Sequence, residues 1–370
     1  MTKIDIEKFV PGHVRELAPY QPGKLIEDVL EEMGLASAVK LASNENSLGP
    51  SPLALRAATE ALGGVARYGD ADSRRLREAI AARTGHPAGG IVAGNGSSEF
   101  ILVMAHALLG PGTTAIMSRP SFTLFAKFAQ AAGAMAAEFP VTARYGHDLA
   151  AMAERARSDA SVRMVFVDNP LNPTGAYMSG EEVSAFLGSL PAGCLLVLDE
   201  AYADFARSPR PDYGRLLADG RVVILRTFSK IMGLAGLRAA YALMAPELAR
   251  ELNKVRQPFN LNVLAQAAAM AALDDHGHAQ RTLEMTWAAL ALYAGRLPRF
   301  GLEVYPTEAN FVMARLPGGI PADDFVKKML KEGVIIRSLS SFGLPGHVRI
   351  NAGQDFESRE LFRAIGRCLG

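Results

Sequence analysis

One lysine, Lys230, stands between an apolar run and a glycine-bearing loop in Thr227-Phe-Ser-Lys-Ile-Met-Gly-Leu-Ala-Gly-Leu-Arg238. Thr227 and Ser229 place hydroxyls beside it, Arg238 adds a planar cationic fork, and Gly233 and Gly236 leave backbone that a ligand can approach closely. That set suits an anionic cofactor carrying an aldehyde, which a lysine amine captures as a Schiff base. A lysine just past a strand end ordinarily does no more than reach for water. The reading therefore depends on what else the chain places beside Lys230.

Three other stretches carry compatible chemistry. Leu195-Leu-Val-Leu-Asp-Glu-Ala-Tyr202 sets Asp199 after four aliphatic residues, where a carboxylate is costly unless a cation pairs with it. A protonated pyridine nitrogen would be such a partner. Tyr202, three residues on, can reach the same ring or serve as a core tyrosine with a bonded hydroxyl. Asn169-Pro-Leu-Asn-Pro-Thr-Gly175 makes a stiff turn that can aim the Asn172 amide at a ring hydroxyl, although turn chemistry alone also explains it. Ala93-Gly-Asn-Gly-Ser-Ser-Glu99 follows a strand and opens a helix, so free N–H groups of Gly96, Ser97 and Ser98 would face an anion. This is a phosphate cradle in form, or a well-capped helix. It lacks the third glycine of a dinucleotide fingerprint, and no Walker-type loop occurs.

The elements that must position these residues alternate strand and helix from about residue 90 to 245. Expected strands are Gly90–Ala93, Thr114–Met117, Met135–Phe139, Arg163–Asp168, Leu195–Asp199, Val222–Thr227 and Ala239–Met244, with helices over Ser97–Leu109, Ser121–Ala132, Leu149–Arg157 and Ser179–Ser189. Such alternation predicts a mostly parallel seven-stranded sheet covered by helices on both faces, with its site in the loops at the carboxyl ends of the strands. Residues 1–23, with Pro11, Gly12, Pro19, Pro22 and Gly23, predict an extended arm that holds Tyr20 in place. Lys40–Asn46 reads as a strand entering a polar turn. A long helix over Ala279–Leu297 leads to a C-terminal α+β lobe with strands at Ala309–Arg315, Val334–Arg337 and His347–Asn351. The expected division is an arm over 1–23, a segment 24–46 that joins the small domain, a large domain over 47–273 and a small C-terminal domain over 274–370.

Composition narrows the function classes. With 370 residues, 49% hydrophobic and 21% charged, the chain reads as a soluble two-domain globular enzyme. The balance of 39 basic against 38 acidic side chains implies neither nucleic acid nor membrane as partner. Cys194 and Cys368 form no metal, redox or disulfide spacing, and the N-terminus lacks a signal-peptide pattern, so a reducing cytoplasm is expected. No apolar run approaches the roughly 18 residues that span a bilayer. His276 and His278 sit two apart, which on a helix does not face one ligand, and no metal is predicted.

The Asn-Pro-Thr-Gly turn, the Asp-Glu-Ala-Tyr strand end and the Ser-Lys loop with its arginine eight residues on occur in this order. The chain thereby resembles the fold-type I pyridoxal phosphate (PLP) enzymes, specifically class II aminotransferases of the histidinol-phosphate aminotransferase type, from Leu17-Ala-Pro-Tyr-Gln-Pro-Gly23 to Val348-Arg-Ile-Asn351. The resemblance implies that Lys230 holds PLP as an internal aldimine and then shuttles the proton. Asp199 would keep the pyridine nitrogen protonated, and Asn172 and Tyr202 would bond the ring oxygen. Gly96, Ser97, Ser98, Thr227, Ser229 and Arg238 would hold the cofactor phosphate, and Phe122 would stack on the ring where the family usually has tyrosine. Arg349 would pair with a substrate carboxylate, Arg337 and Tyr20 with a substrate phosphate. Asn44 would lie with Glu45 and Asn46 near the entrance. Tyr68 would reach the PLP phosphate of a neighbouring subunit, which implies a homodimer with shared sites. Ser47 replaces a common proline after the Asn-Glu-Asn turn, and Ser98 a common aspartate in the phosphate loop.

The substrates so implied are small molecules, histidinol phosphate and 2-oxoglutarate. Alternatives sharing these motifs are an aromatic amino acid aminotransferase, a PLP-dependent decarboxylase of threonine phosphate, and a non-enzymatic PLP-binding domain of a regulator. The balanced charge and the absence of a DNA-binding appendage count against the last.

Overall fold

The computed structural model describes residues 4–19 and 23–370. At its centre lies a seven-stranded sheet of β1 (Ile91–Asn95), β2 (Thr114–Arg119), β3 (Met135–Pro140), β4 (Val162–Asp168), β5 (Leu195–Asp199), β6 (Val222–Thr227) and β7 (Ala239–Leu243). Their spatial order is β1-β7-β6-β5-β4-β2-β3; β7 runs antiparallel to both its neighbours, and the remaining pairs are parallel. The side-chain period of two explains why these strands read as unbroken apolar runs. Val165, Val167, Leu196, Leu198, Val222 and Ile224 point into the core on one face, whereas Met164, Phe166, Val197, Val223 and Leu225 point into the core on the other.

Helix α1 (Ser97–Leu108) and α2 (Leu124–Ala131) cover the second face. The first is covered partly by α3 (Val263–Leu273), the alanine-rich segment, whose Ala265, Ala268, Ala269 and Ala272 are buried against Pro52–Ala61. Small side chains let the two helix axes come close. α2 starts three residues later than its sequence suggests, because Ser121–Thr123 form the turn that carries Phe122. The first strand also differs: Gly90 belongs to a short 3-10 turn, and the strand runs on to Asn95.

From α3 the chain enters α4 (His276–Arg296), which is capped by Asp275 and begins three residues before the predicted start. Beyond it lies a second sheet of β8 (Glu303–Val304), β9 (Phe311–Arg315), β10 (Arg337–Ser338) and β11 (His347–Asn351), all antiparallel in the order β10-β11-β9-β8. Its core joins Val312, Phe325, Met329, Ile350 and Leu361 to Leu290, Tyr293 and Leu297. Leu41 is buried in the same cluster. Val39–Lys40 pairs in parallel with Val334–Ile335, and Leu41 N–H donates to the Ile335 carbonyl at 2.8 Å. The single strand expected over Val334–Arg337 is therefore two, each in a different sheet. The N-terminal arm differs as well: Ile6–Phe9 and Gly12–Arg15 form single helical turns where proline and glycine suggested an extended course.

At the carboxyl ends of β5 and β6 the buried Glu200 meets Arg226 at 3.1 Å and also accepts from the Tyr213 hydroxyl at 3.1 Å. Removing one member of so buried a pair leaves an uncompensated charge. Arg226→Met is therefore expected to lower stability in a denaturant titration by about 3 kcal/mol. Lys254→Met, at the exposed pair with Glu251, should cost less than about 1 kcal/mol.

Candidate active site

The carboxyl ends of β4, β5 and β6, the start of α1 and the turn before α2 enclose a cavity of about 400 Å³. Ser97, Ser98, Phe122, Asn172, Asp199, Tyr202, Thr227, Ser229, Lys230 and Arg238 all line it. Ten residues drawn from five separate stretches of sequence thus converge on one space, of a size ordinary for a cofactor site.

Lys230 follows β6 on a loop that is held tightly. Ser229 N–H donates to Thr227 Oγ1 at 3.1 Å, and the Thr227 hydroxyl donates to Ser229 Oγ at 2.9 Å. Gly233 has φ +68°, and a Cβ there would lie 2.1 Å from the Gly49 carbonyl oxygen, so only glycine lets the two loops meet. Lys230 Nζ donates to the Ser43 carbonyl at 3.3 Å and lies 5.6 Å from the Tyr202 ring centre. Burial, then the nearby Arg349 guanidinium, pushes the Lys230 ammonium down to about 8, with Glu45 and Asp199 opposing. Its amine is consequently available as a nucleophile near neutral pH.

Asp199 is 4% exposed, and its Oδ1 accepts the Ala201 N–H at 3.0 Å. Burial is the main reason its carboxyl is pushed up to about 7. A permanent cation bound beside it would reverse that shift. Asn172 and Tyr202 are oriented by their partners. Arg349 Nη1 donates to Asn172 Oδ1 at 2.5 Å, so the Asn172 amide keeps its Nδ2 protons for another acceptor. Asn44 Nδ2 donates to the Tyr202 hydroxyl at 2.9 Å, which leaves the phenol proton to be donated elsewhere. Asn44 is buried, deeper than the entrance position expected of it. Arg349 is itself buried and also donates to the Ala42 carbonyl at 2.7 Å.

At the opposite end of the cavity Gly96 has φ +84°, and a Cβ on it would lie 2.2 Å from Arg238 Nη2. The guanidinium thus occupies space that any other residue would fill, directly over the start of α1. Ser97 and Ser98 open the helix onto the cavity, with its positive dipole end behind them. Gly96 cannot contribute its N–H as expected, because that proton is donated to the Gly94 carbonyl at 3.0 Å.

Of the predicted residues that do not line this cavity, Gly96, Asn44 and Arg349 adjoin residues that do, whereas Arg337 and Tyr68 lie apart from it. Arg337 stacks over Phe342 and lines a neighbouring cavity of about 540 Å³, together with Arg119, Lys127 and Leu17–Pro19 of the arm; Phe122 lines both spaces. Tyr68 is 86% exposed and stacks on Phe259 at 4.7 Å. Tyr20 lies outside the described residues. Lining residues that the sequence reading did not assign to the site are Ser43, Leu124, Asp168, Ala201 and Ala235, and Glu45, expected near the entrance, lines the cavity as well. Asp168 carried a usable signal, a carboxylate after the apolar run Met164-Val-Phe-Val167, the same pattern that marks Asp199.

The sheet and its lysine loop define the fold of type I PLP transferases, and residues 36–365 match the family described as aminotransferase class I and II. The chain belongs to that family. It is 41% identical over 364 residues to a histidinol-phosphate aminotransferase of Anaeromyxobacter sp. (strain Fw109-5), covering 98% of this chain and 99% of the relative. It is 42% identical over 368 residues to histidinol-phosphate aminotransferase 2 of Ralstonia nicotianae, covering 98% and 97%. Among solved structures, the histidinol-phosphate aminotransferase from Sinorhizobium meliloti in complex with pyridoxal-5'-phosphate superposes with a TM-score of 0.89 at 27% identity, over 97% of each chain.

The residues present fit that cofactor. A buried carboxylate with no ion pair among the described residues, an amide and a phenol with protons to donate, a depressed lysine and a guanidinium at a helix start match a pyridinium, a ring oxygen, an aldehyde and a phosphate. Two outcomes are expected. Covalent capture of PLP, followed by absorbance, should quicken as pH rises and level off above about 8, because the neutral Lys230 amine is the nucleophile. Without cofactor, Asp199 binds a proton more tightly in the folded chain than in the unfolded one. Its contribution to stability is therefore full below the ordinary carboxylate range and lost as pH rises to about 7. Thermal melts of cofactor-free Asp199→Asn should accordingly fall less steeply over that window than those of the parent.

Proposed function

We propose that this chain is a PLP-dependent aminotransferase that moves the amino group of histidinol phosphate to 2-oxoglutarate, yielding imidazole acetol phosphate and glutamate. The observation that carries the substrate class is the pair of adjoining cavities. The inner one holds Lys230 and is sized for the cofactor; the outer one, sharing Phe122 with it, holds the cations Arg337, Arg119 and Lys127. Arg119 is already paired with Glu138 at 3.1 Å, and Lys127 donates to the Ala18 carbonyl of the arm at 2.9 Å. Arg337 has no comparable anion within the described residues and is the group we assign to the substrate phosphate, with Tyr20 from the arm. The histidinol-phosphate aminotransferases that this chain matches over nearly their whole length support the same choice.

When bound, PLP supplies an aldehyde for amine exchange and a ring that withdraws electrons. The chain's own residues do the rest. Lys230 would hold the cofactor aldehyde and, once released, would carry the proton between the substrate α-carbon and the aldehyde carbon of the cofactor. Asp199 holds the proton on the pyridine nitrogen. Asn172 and Tyr202 donate to the ring oxygen, and Phe122 packs on the ring face. Ser97, Ser98, Thr227, Ser229 and Arg238 hold the phosphate, with Gly96 giving the space in which Arg238 lies. Arg349 takes a substrate carboxylate when glutamate or 2-oxoglutarate is bound, and Asn44 lies beneath it at Tyr202.

The assembly we propose is a homodimer with shared sites. Tyr68 and the exposed Leu62, Val65 and Phe259 give an apolar surface on which a partner copy would pack, with Tyr68 reaching the partner's phosphate site. The division at residues 23, 46 and 273 is part of the proposal, supported by the separate apolar core of the C-terminal lobe and by Leu41 within it. A cytoplasmic setting suits the two free cysteines.

Mixing the purified holoenzyme with single amino donors and following cofactor absorbance tests the reading. Histidinol phosphate should convert the cofactor to its amine form. Conversion by phenylalanine but not by histidinol phosphate would sink the substrate assignment, and carbon dioxide released from threonine phosphate would point to a lyase. Arg337→Ala should raise KM for histidinol phosphate by roughly tenfold to a hundredfold, the range of one charge-assisted contact, and move glutamate far less. Lys230→Ala should abolish both capture and turnover.

A further inference from the structure

Asp168 ends β4 beside Asp199 of β5. The two are register partners on neighbouring parallel strands, are 3% and 4% exposed, and line the same cavity. Two carboxylates so placed in an apolar sheet do not both ionise unless a cation stands with them. The nearby cations are engaged: Lys230 donates to the Ser43 carbonyl, and Arg349 to Asn172 and Ala42. On its other side Asp168 faces His147. The His147 Nε2 lies 3.0 Å from the Asp168 carbonyl and 3.9 Å from its Oδ1, and Nδ1 lies 2.7 Å from Ser118 Oγ. Burial pushes this imidazole down to about 4. It is therefore neutral and brings Asp168 no charge; its Nε2 proton goes to the carbonyl, and its Nδ1 accepts from Ser118.

What the Asp168 carboxyl does hold is backbone. Oδ2 accepts the N–H of Asn172 at 2.9 Å, and the N–H of Phe122 lies near enough to act on the same group. Oδ1 is buried and has no hydrogen-bond partner among the described residues. The residues it ties are the ones assigned to the edge and the face of the cofactor ring. Burial first, opposed by the Asn172 N–H and reinforced by the charge of Asp199, keeps the carboxyl well above the ordinary range. A proton on Oδ1 leaves Oδ2 free to accept.

We propose that Asp168 is a proton-bearing positioning residue, which anchors the Asn172 turn, and with it Phe122, beneath the cofactor ring while leaving Asp199 alone to carry the negative charge toward the pyridine nitrogen. It rests on the assignment of Asp199 and Asn172 to that ring. The distinction from a merely structural acid lies in the ring oxygen. A donated N–H draws electron density from it and weakens its hold on the proton of the lysine-bound cofactor, so a displaced Asn172 raises the pH at which that proton leaves.

The test uses the full-length chain with Asp168→Asn, Asp168→Ala and Asp199→Asn, reading the PLP dissociation constant and the pH midpoint of the absorbance change. Asparagine is the neutral isostere of the acid and still accepts from Asn172. It should leave the constant within about twofold and the midpoint in place. Asp168→Ala should weaken binding roughly tenfold, the equivalent of one lost hydrogen bond, and raise the midpoint. If Asp168→Asn moves both readings as far as Asp168→Ala, the group is charged and the proposal is overturned; an unchanged Asp168→Ala also overturns it. Should the alanine variant fail to fold, Asp168→Ser, too short to reach Asn172, is read in the same way. Asp199→Asn should weaken binding by itself; no change there would overturn the assignment of the ring, a failure distinct from that of Asp168.

Discussion

The structure depends on placing charge at the carboxyl edge of a sheet that is apolar on both faces. β4, β5 and β6 each run through three or more consecutive buried aliphatic or aromatic residues and then end on a polar group: Asp168, Asp199 and the Thr227-Phe-Ser-Lys230 loop. Apolar strands of this kind exclude water from their own ends, so a carboxylate there must be protonated, ion-paired or matched by a bound cation. Glu200 takes the second solution with Arg226. Asp199, with one N–H donor and a raised carboxyl, is suited to the third. The same exclusion of water depresses Lys230, so a single physical cause raises the carboxyl of one group and lowers the ammonium of the other.

Orientation comes from a further layer of partners. Asn172 and Tyr202 have ambiguous roles when taken alone, since an amide can turn either way and a phenol can donate or accept. Arg349 and Asn44 remove that ambiguity by occupying one side of each. Both reach the site from segments remote in sequence, Asn44 from the turn after the short N-terminal strand and Arg349 from β11. The site is therefore built across the large sheet and the small lobe together. The donor direction of Asn172 and Tyr202 depends on both.

Much of this was legible in the residues. Short apolar runs alternating with helix intervals marked the strands of the large sheet, and three short motifs marked Lys230, Asp199 and Asn172. What remained hidden was long-range. No local pattern reveals that Arg349 bonds Asn172 across 177 residues, or that Asn44 lies under Tyr202. Strand Val334–Arg337 reads as one apolar run because periodicity cannot show that two different sheets claim its halves. The arm was misread because proline and glycine bias backbone angles without forbidding a single helical turn. Asp168 repeats the setting of Asp199, a carboxylate at the end of an apolar strand, but the stiff turn that follows it carries the stronger local signal in Asn172.

The pairing of Val39–Lys40 with Val334–Ile335 has a consequence for biosynthesis. During translation the central sheet can close from contacts made within residues 91–243, but the strand leading into Ser43 and Asn44 must wait for a partner emitted almost 300 residues later. Until then the carbonyl that receives Lys230 and the amide that receives Tyr202 have no fixed place. A ribosome-bound chain can therefore hold a formed sheet while the wall that Ser43 and Asn44 give the candidate site is still open.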